Sequence, residues 1–305
     1  MSFFRLTEKI SKLDNPTVVG LDPRFDKLPG FIREKAVEEY GQTLEAAAQA
    51  VLEFNKGLVD ALCGVVPAVK PQSAFYEQLG WQGVRALKET IDYAHSKGMY
   101  VIADAKRGDI GSTMEAYADA FLGKVKIGGS EYEPFGADAL TVNGYLGSDG
   151  VAPALRACEK YDKGVFVLVK TSNPSSCEMQ DIIAEGGPVY ERMGALCEDW
   201  GGTREGYGSV GAVVGATWPE QLGLLRAKLP HTFFLVPGYG AQGGGAADVA
   251  PAFDKDGGGA VVNASRSIIY AYVKEGCDER DYAGAALREA ERMRDSINAA
   301  GRGRR

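Results

Sequence analysis

Eight short apolar runs, each followed by a stretch of helical spacing, constrain this chain more than any other feature. They cover residues 17–21, 65–69, 99–103, 137–142, 164–169, 210–214, 232–236 and 259–262. Short, nearly continuous apolar runs bounded by turn residues read as strands covered on both faces. Between the first two runs, Val37, Tyr40, Leu44, Ala48, Val51, Leu58 and Leu62 recur at helical spacing and read as one long helix. Buried strands alternating with helices imply a parallel sheet with helices outside it. Eight such units fit closure into a (β/α)8 (TIM) barrel of the α/β class better than an open sheet. The 305 residues are expected to form one domain, 1–305. A short amphipathic helix at 3–13 precedes the first strand, and a basic, frayed tail ends the chain at 301–305. Every strand exits at its C-terminal end into polar, Gly or Pro residues, the rim where such barrels carry their chemistry.

The totals narrow the function. A net charge of −7 and a pI near 5.1 lack the basic face that a nucleic-acid grip needs. Small anionic substrates stay open, because a local Lys and Arg cluster overrules the global sign. Cys63, Cys158, Cys177, Cys197 and Cys277 are odd in number and widely spaced, which suits reduced thiols in a cytoplasm. The N-terminus lacks the apolar core of a signal peptide, and no run approaches the ~18 apolar residues of a membrane span. No metal-ligand spacing, nucleophile elbow or Walker loop is present. His95 and His231 fall at the ends of their units opposite the rim and read as surface or packing residues, as Trp81, Trp200 and Trp218 read as packing.

The third strand carries the densest chemistry: Asp104, Lys106, Arg107 and Asp109 lie within six residues, broken by Gly108 and Gly111. A period of two puts Asp104 and Lys106 on one side of the strand. Opposite charges at the end of an apolar strand are costly unless paired. Asp22 and Lys70, at the ends of the first two strands, extend this to an array of alternating sign. On the far rim, the loop 237–245 is Gly-rich and the next strand ends in Ala264-Ser265-Arg266-Ser267. Backbone N–H groups and an Arg at a helix start suit phosphate. Gln242 in the mobile loop suits a lid contact, and the loop 173–180 either folds over a ligand or only connects.

The run Asp104-Ala-Lys-Arg-Gly-Asp-Ile-Gly-Ser-Thr113 closely resembles the signature of the orotidine 5′-phosphate decarboxylase family. Gly20-Leu-Asp-Pro23, Val69-Lys-Pro71, Lys170-Thr-Ser-Asn-Pro174, Pro237-Gly-Tyr-Gly-Ala-Gln-Gly243 and Ala264-Ser-Arg-Ser-Ile268 follow in family order, as in its longer bacterial branch. Many members carry Gly before the phosphate-binding Arg, where Ser265 stands here. The resemblance implies a (β/α)8 barrel acting as a homodimer with shared active sites and with no metal or organic cofactor. It implies conversion of orotidine 5′-phosphate to uridine 5′-phosphate and carbon dioxide in de novo pyrimidine synthesis. By motif, Lys70, Asp104, Lys106 and Asp109 form a charged tetrad. Asp109, Ile110 and Thr113 reach the partner's site, Asp22 and Lys70 hold ribose hydroxyls, Ser172 the pyrimidine, and Gln242 with Arg266 the phosphate. Rival readings are a magnesium-dependent sugar-phosphate decarboxylase or hexulose-phosphate enzyme, a Schiff-base aldolase using Lys106 or Lys170, and a non-catalytic nucleotide-binding barrel.

Overall fold

The computed structural model describes residues 2–202, 206–240 and 243–301. Eight parallel strands close a barrel in chain order: β1 (Thr17–Leu21), β2 (Ala68–Pro71), β3 (Tyr100–Arg107), β4 (Ala139–Val142), β5 (Gly164–Lys170), β6 (Val210–Val214), β7 (Phe233–Pro237) and β8 (Ala260–Ala264). The last of these pairs back to β1. Successive side chains point to opposite faces. Val18, Ala68, Ile102, Phe166, Leu235 and Val261 pack together in the barrel interior, while Val19, Leu21, Val69 and Val262 join the larger shell under the helices. Burial on both faces is why the strands read as unbroken apolar runs.

The N-terminal helix Ser2–Leu13 closes the foot of the barrel. Phe3, Leu6 and Ile10 share one helical face and belong to the interior cluster. The Phe3 ring lies 4.8 Å from that of Phe166 and 5.3 Å from that of Phe233. Arg5 Nη1 donates to Asp138 Oδ1 at 2.8 Å. On the other oxygen, His95 Nε2 and the Val101 N–H each approach Asp138 Oδ2 at 2.9 Å. Burial pushes the Asp138 carboxyl up, but His95, the Val101 N–H and Arg5 together hold it below its ordinary value.

Three sequence expectations need correction. Lys70 and Pro71, expected just after the second strand, lie within it, because β2 stays paired to β1 through Leu21 and Pro71. The long helix is two helices, Gly30–Tyr40 and Leu44–Leu62. Gly41 breaks the first with φ +70, a left-handed conformation that favours glycine, and the Thr43 hydroxyl caps the second by accepting from the Ala46 N–H at 3.2 Å. Trp81 is 67% exposed, with the Arg85 guanidinium 5.4 Å from its ring, so it is not a core residue. Residues 302–305 of the basic tail lie outside the described residues. No described helix is long and apolar enough to cross a membrane, and all five cysteines are unpaired.

Candidate active site

At the C-terminal mouth of the barrel the strand ends surround a cavity of about 620 Å³. Inward-facing Leu168, Val213 and Leu235 form an apolar part of its lining. Asp22, Lys70, Gln72, Asp104, Lys106 and Thr141 form a charged wall from β1 to β4. Opposite them stand Pro237, Gly238 and Tyr239 after β7, and Asn263, Ser265 and Arg266 at the end of β8. Apolar walls with a few convergent polar groups are the usual make-up of a small-molecule site.

Asp104 is the hub of the charged wall. Lys70 Nζ donates to its Oδ2 at 2.7 Å and Lys106 Nζ to its Oδ1 at 2.6 Å. Gln72 Nε2 reaches Oδ2 at 3.0 Å, and the Thr141 hydroxyl reaches Oδ1 at 2.9 Å. Asp104 is 6% exposed and Lys70 4%. Burial pushes the Asp104 carboxyl up, yet the Lys70 and Lys106 charges hold it well below the usual carboxylate range. Burial likewise works to depress Lys70, but Asp104 and Asp22 hold its ammonium above the ordinary lysine value. Asp104 and Lys70 therefore stay charged at neutral pH.

Lys106 is held differently from Lys70. Its side chain is 45% exposed, its Nζ tied at one end to Asp104. Its φ of +48 is left-handed, uncommon for a residue with a Cβ. The register between β3 and β4 shifts between Ala103 and Arg107, and the Lys106 N–H donates to the Thr141 hydroxyl at 2.9 Å. Simple alternation thus does not aim Lys106; a local irregularity does. Such backbone costs of order 1–3 kcal/mol and tends to persist at functional sites.

The structure brings Asp22, Lys70, Asp104, Lys106, Ser172 and Arg266 to one cavity. Asp109, Ile110 and Thr113 are not in its lining: the Asp109 carboxylate accepts from the Ile110 N–H at 2.7 Å, and Ile110 and Thr113 are exposed. Gln242 lies outside the described residues. The loop after β5 lines the cavity through Asn173, Ser175, Ser176, Met179 and Gln180, so residues 173–180 are more than a connection. Thr171 and Gln180 clasp it, with Thr171 N–H to Oε1 at 2.9 Å and Nε2 to the Thr171 hydroxyl at 2.8 Å. Lys170 is fully buried behind that loop, bonded to Asp181 at 2.6 Å and facing the Trp218 ring at 4.5 Å. A sealed, ion-paired amine is no nucleophile, which removes Lys170 from the Schiff-base reading. Among the described residues no three His, Cys, Asp or Glu side chains converge as a metal site would require.

Sequence reasoning missed Gln72, Thr141 and Asn263. All three are polar residues at inward positions of strand ends, two residues from an inward neighbour already singled out or within an apolar run. Strand parity places them inward only once the register is known.

Residues 41–276 match the family model described as the orotidine 5′-phosphate decarboxylase / HUMPS family. The chain belongs to this family. It is 44% identical over 300 residues to the orotidine 5′-phosphate decarboxylase of Rhodopirellula baltica, covering 96% of this chain and 97% of that one. Its identity to the Caldicellulosiruptor bescii enzyme of the same name is 38% over 299 residues, covering 97% of each. The structure of Leishmania donovani OMP decarboxylase superposes with a TM-score of 0.73 at 33% identity, covering 97% of this chain and 99% of that one. The likeness to the family thus spans the whole barrel, and the third-strand motif is one part of it.

Proposed function

We propose that this barrel mouth removes carbon dioxide from orotidine 5′-phosphate by holding the Lys106 ammonium where charge develops on the pyrimidine ring. The chain is a carboxy-lyase of pyrimidine synthesis, forming uridine 5′-phosphate from orotidine 5′-phosphate. The observation that carries the mechanism is Asp104 fixed between Lys70 and Lys106 at the edge of a partly apolar cavity.

When the bond from carbon 6 to the carboxyl group breaks, its electron pair stays on carbon 6, where no adjacent carbonyl delocalises it well. The pair must be met by a localised positive charge. A preorganised ammonium in a water-poor pocket does this strongly, since Coulomb energy grows as the effective dielectric falls. Lys106 then transfers a proton to carbon 6 and regains one from water. Asp104 aims the Lys106 ammonium before the reaction. The barrier reduction required is on the order of 20 kcal/mol, near the upper part of the enzymatic range. Asp22 and Lys70 bind the ribose hydroxyls, Ser172 the pyrimidine, and Arg266 with Gln242 the phosphate. Arg266 is exposed at the rim, as a phosphate ligand entering from solvent requires.

The working unit in this reading is a homodimer whose sites are shared, with Asp109, Ile110 and Thr113 completing the partner's cavity. Their exclusion from the chain's own cavity supports this. So does the apolar surface around them: Ile110, Tyr145 and Leu146 are exposed, and Gly150 lies beside both Leu146 and the Asp109 carbonyl. A cytoplasmic setting suits five unpaired cysteines.

The test is loss of orotidine 5′-phosphate followed by ultraviolet absorbance with a chelator present. Steady conversion to uridine 5′-phosphate is expected. No conversion, or conversion only after a divalent ion is added, rejects the mechanism.

A further inference from the structure

Asn263 is a polar residue inside the apolar run of β8, and nothing in the mechanism above uses it. It is 7% exposed and lines the cavity, yet its amide oxygen Oδ1 is buried with no hydrogen-bond partner among the described residues. A buried amide left unpaired costs about 1–3 kcal/mol. Folding alone therefore favours an aliphatic residue at this position.

The neighbourhood says what satisfies it. In the barrel β8 lies beside β1, and the Asn263 Oδ1 stands 3.3 Å from where a Cβ on Gly20 would be. Gly20 pairs with Lys70 across β2, and Asp22 follows two residues on. One Asp22 carboxylate oxygen is also buried without a partner among the described residues. The corner thus presents an ammonium donor, a carboxylate acceptor and an amide that does both. Two adjacent hydroxyls, each able to donate and accept, match that set; a carbonyl or a methyl does not.

We propose that Asn263 is a specificity-determining residue that hydrogen-bonds a hydroxyl of the substrate's ribose, beside Asp22 and Lys70. This rests on the orotidine 5′-phosphate reading above. Asn263 binds the sugar in ground state and transition state alike, so its loss raises KM and spares kcat. Discrimination is expected to be steep, because a site built to bond a hydroxyl rejects the analogue lacking it.

The experiment compares wild type with Asn263→Leu and Asn263→Ala. Affinities for uridine 5′-phosphate and for its 2′-deoxy and 3′-deoxy forms are measured by calorimetry, with turnover and ligand-free Tm in parallel. The variants should bind uridine 5′-phosphate about tenfold more weakly, the loss of one hydrogen bond of about 1.4 kcal/mol. They should bind one of the deoxy forms nearly as wild type does, with kcat within about twofold. Their ligand-free Tm should stay level or rise, which a structural asparagine would not allow. Equal weakening of all three ligands, or a lowered Tm with unchanged affinity, overturns the assignment. Should one substitution prevent folding, the other and Asn263→Ser are read by the same ratios, and collapse of all three counts against it. Wild-type turnover separates the two claims: without it the mechanism fails, and with it an unchanged deoxy ratio sinks only Asn263.

Discussion

At the foot of the barrel Asp138 lies between Arg5 and His95; at the mouth Asp104 lies between Lys70 and Lys106. Both carboxylates are buried, both sit on or beside a strand, and both are held below their ordinary pKa by neighbouring donors. The foot, however, is closed over by the N-terminal helix, and Arg5 fastens that helix to the barrel. At the mouth one of the two lysines stays nearly half exposed, on a left-handed backbone, and oxygens of Asp22 and Asn263 have no partner among the described residues. A perturbed carboxylate therefore does not mark a site by itself. What separates the two ends is a cavity and groups whose bonding is left incomplete.

Removing Lys106 should separate them most. Lys106→Ala is expected to lower kcat by about 10³-fold or more, the scale of losing a preorganised electrostatic contact. Calorimetry should still register uridine 5′-phosphate binding. Mixed with Asp109→Ala protein under confirmed subunit exchange, it should regain part of the activity, and no recovery would argue against a shared site. A kcat within tenfold of wild type for Lys106→Ala would erase the distinction between the two ends.

Next in size is Asp104→Asn, which takes from buried Lys70 the carboxylate it is hydrogen-bonded to and should cost about 3–5 kcal/mol in urea unfolding, together with most of the activity. The pH dependence follows from the two shifts. A depressed Asp104 contributes stability that is full above the ordinary carboxylate value near 4 and fades as pH falls through its lower folded value. A raised Lys70 contributes stability that is full below the ordinary lysine value of about 10.5 and fades as pH climbs past it. The gap between wild type and Asp104→Asn should thus be flat from about pH 5 to 9. A gap that closes between pH 6 and 8 would contradict the ion pair as described.

The smallest effect is expected at the foot. Asp138→Asn faces an Arg5 side chain that already reaches solvent, so about 1–2 kcal/mol of stability should go, with kcat unchanged under folding conditions. A large loss of kcat there, measured well below the unfolding transition, would mean that the two ends are coupled.

Much of the site was legible because its residues stand in contiguous motifs. Asp104 and Lys106 are two positions apart on one strand, Lys70 precedes a proline at another strand's end, and Arg266 opens a helix. Thr141 and Asn263 were not legible, since a polar residue in an apolar run gives no clue to its inward partners until the strand register is known. Ser265 is instructive in the same way. The room for it comes from Gly20 on the neighbouring strand: a Cβ there would lie 1.8 Å from the Ser265 hydroxyl. No local pattern links two residues 245 positions apart.

The alternation of apolar strand and amphipathic helix is written in the sequence, because each element must bury its own face, and from it follow the barrel and the rim that carries charge. Which charges meet is a property of closure. The stagger of eight paired strands, the left-handed turn at Lys106 and the sealing of Lys170 behind its loop arise only when distant segments exclude water together. They decide that one lysine stands half exposed in the cavity while another, equally plain in the sequence, is sealed behind a loop.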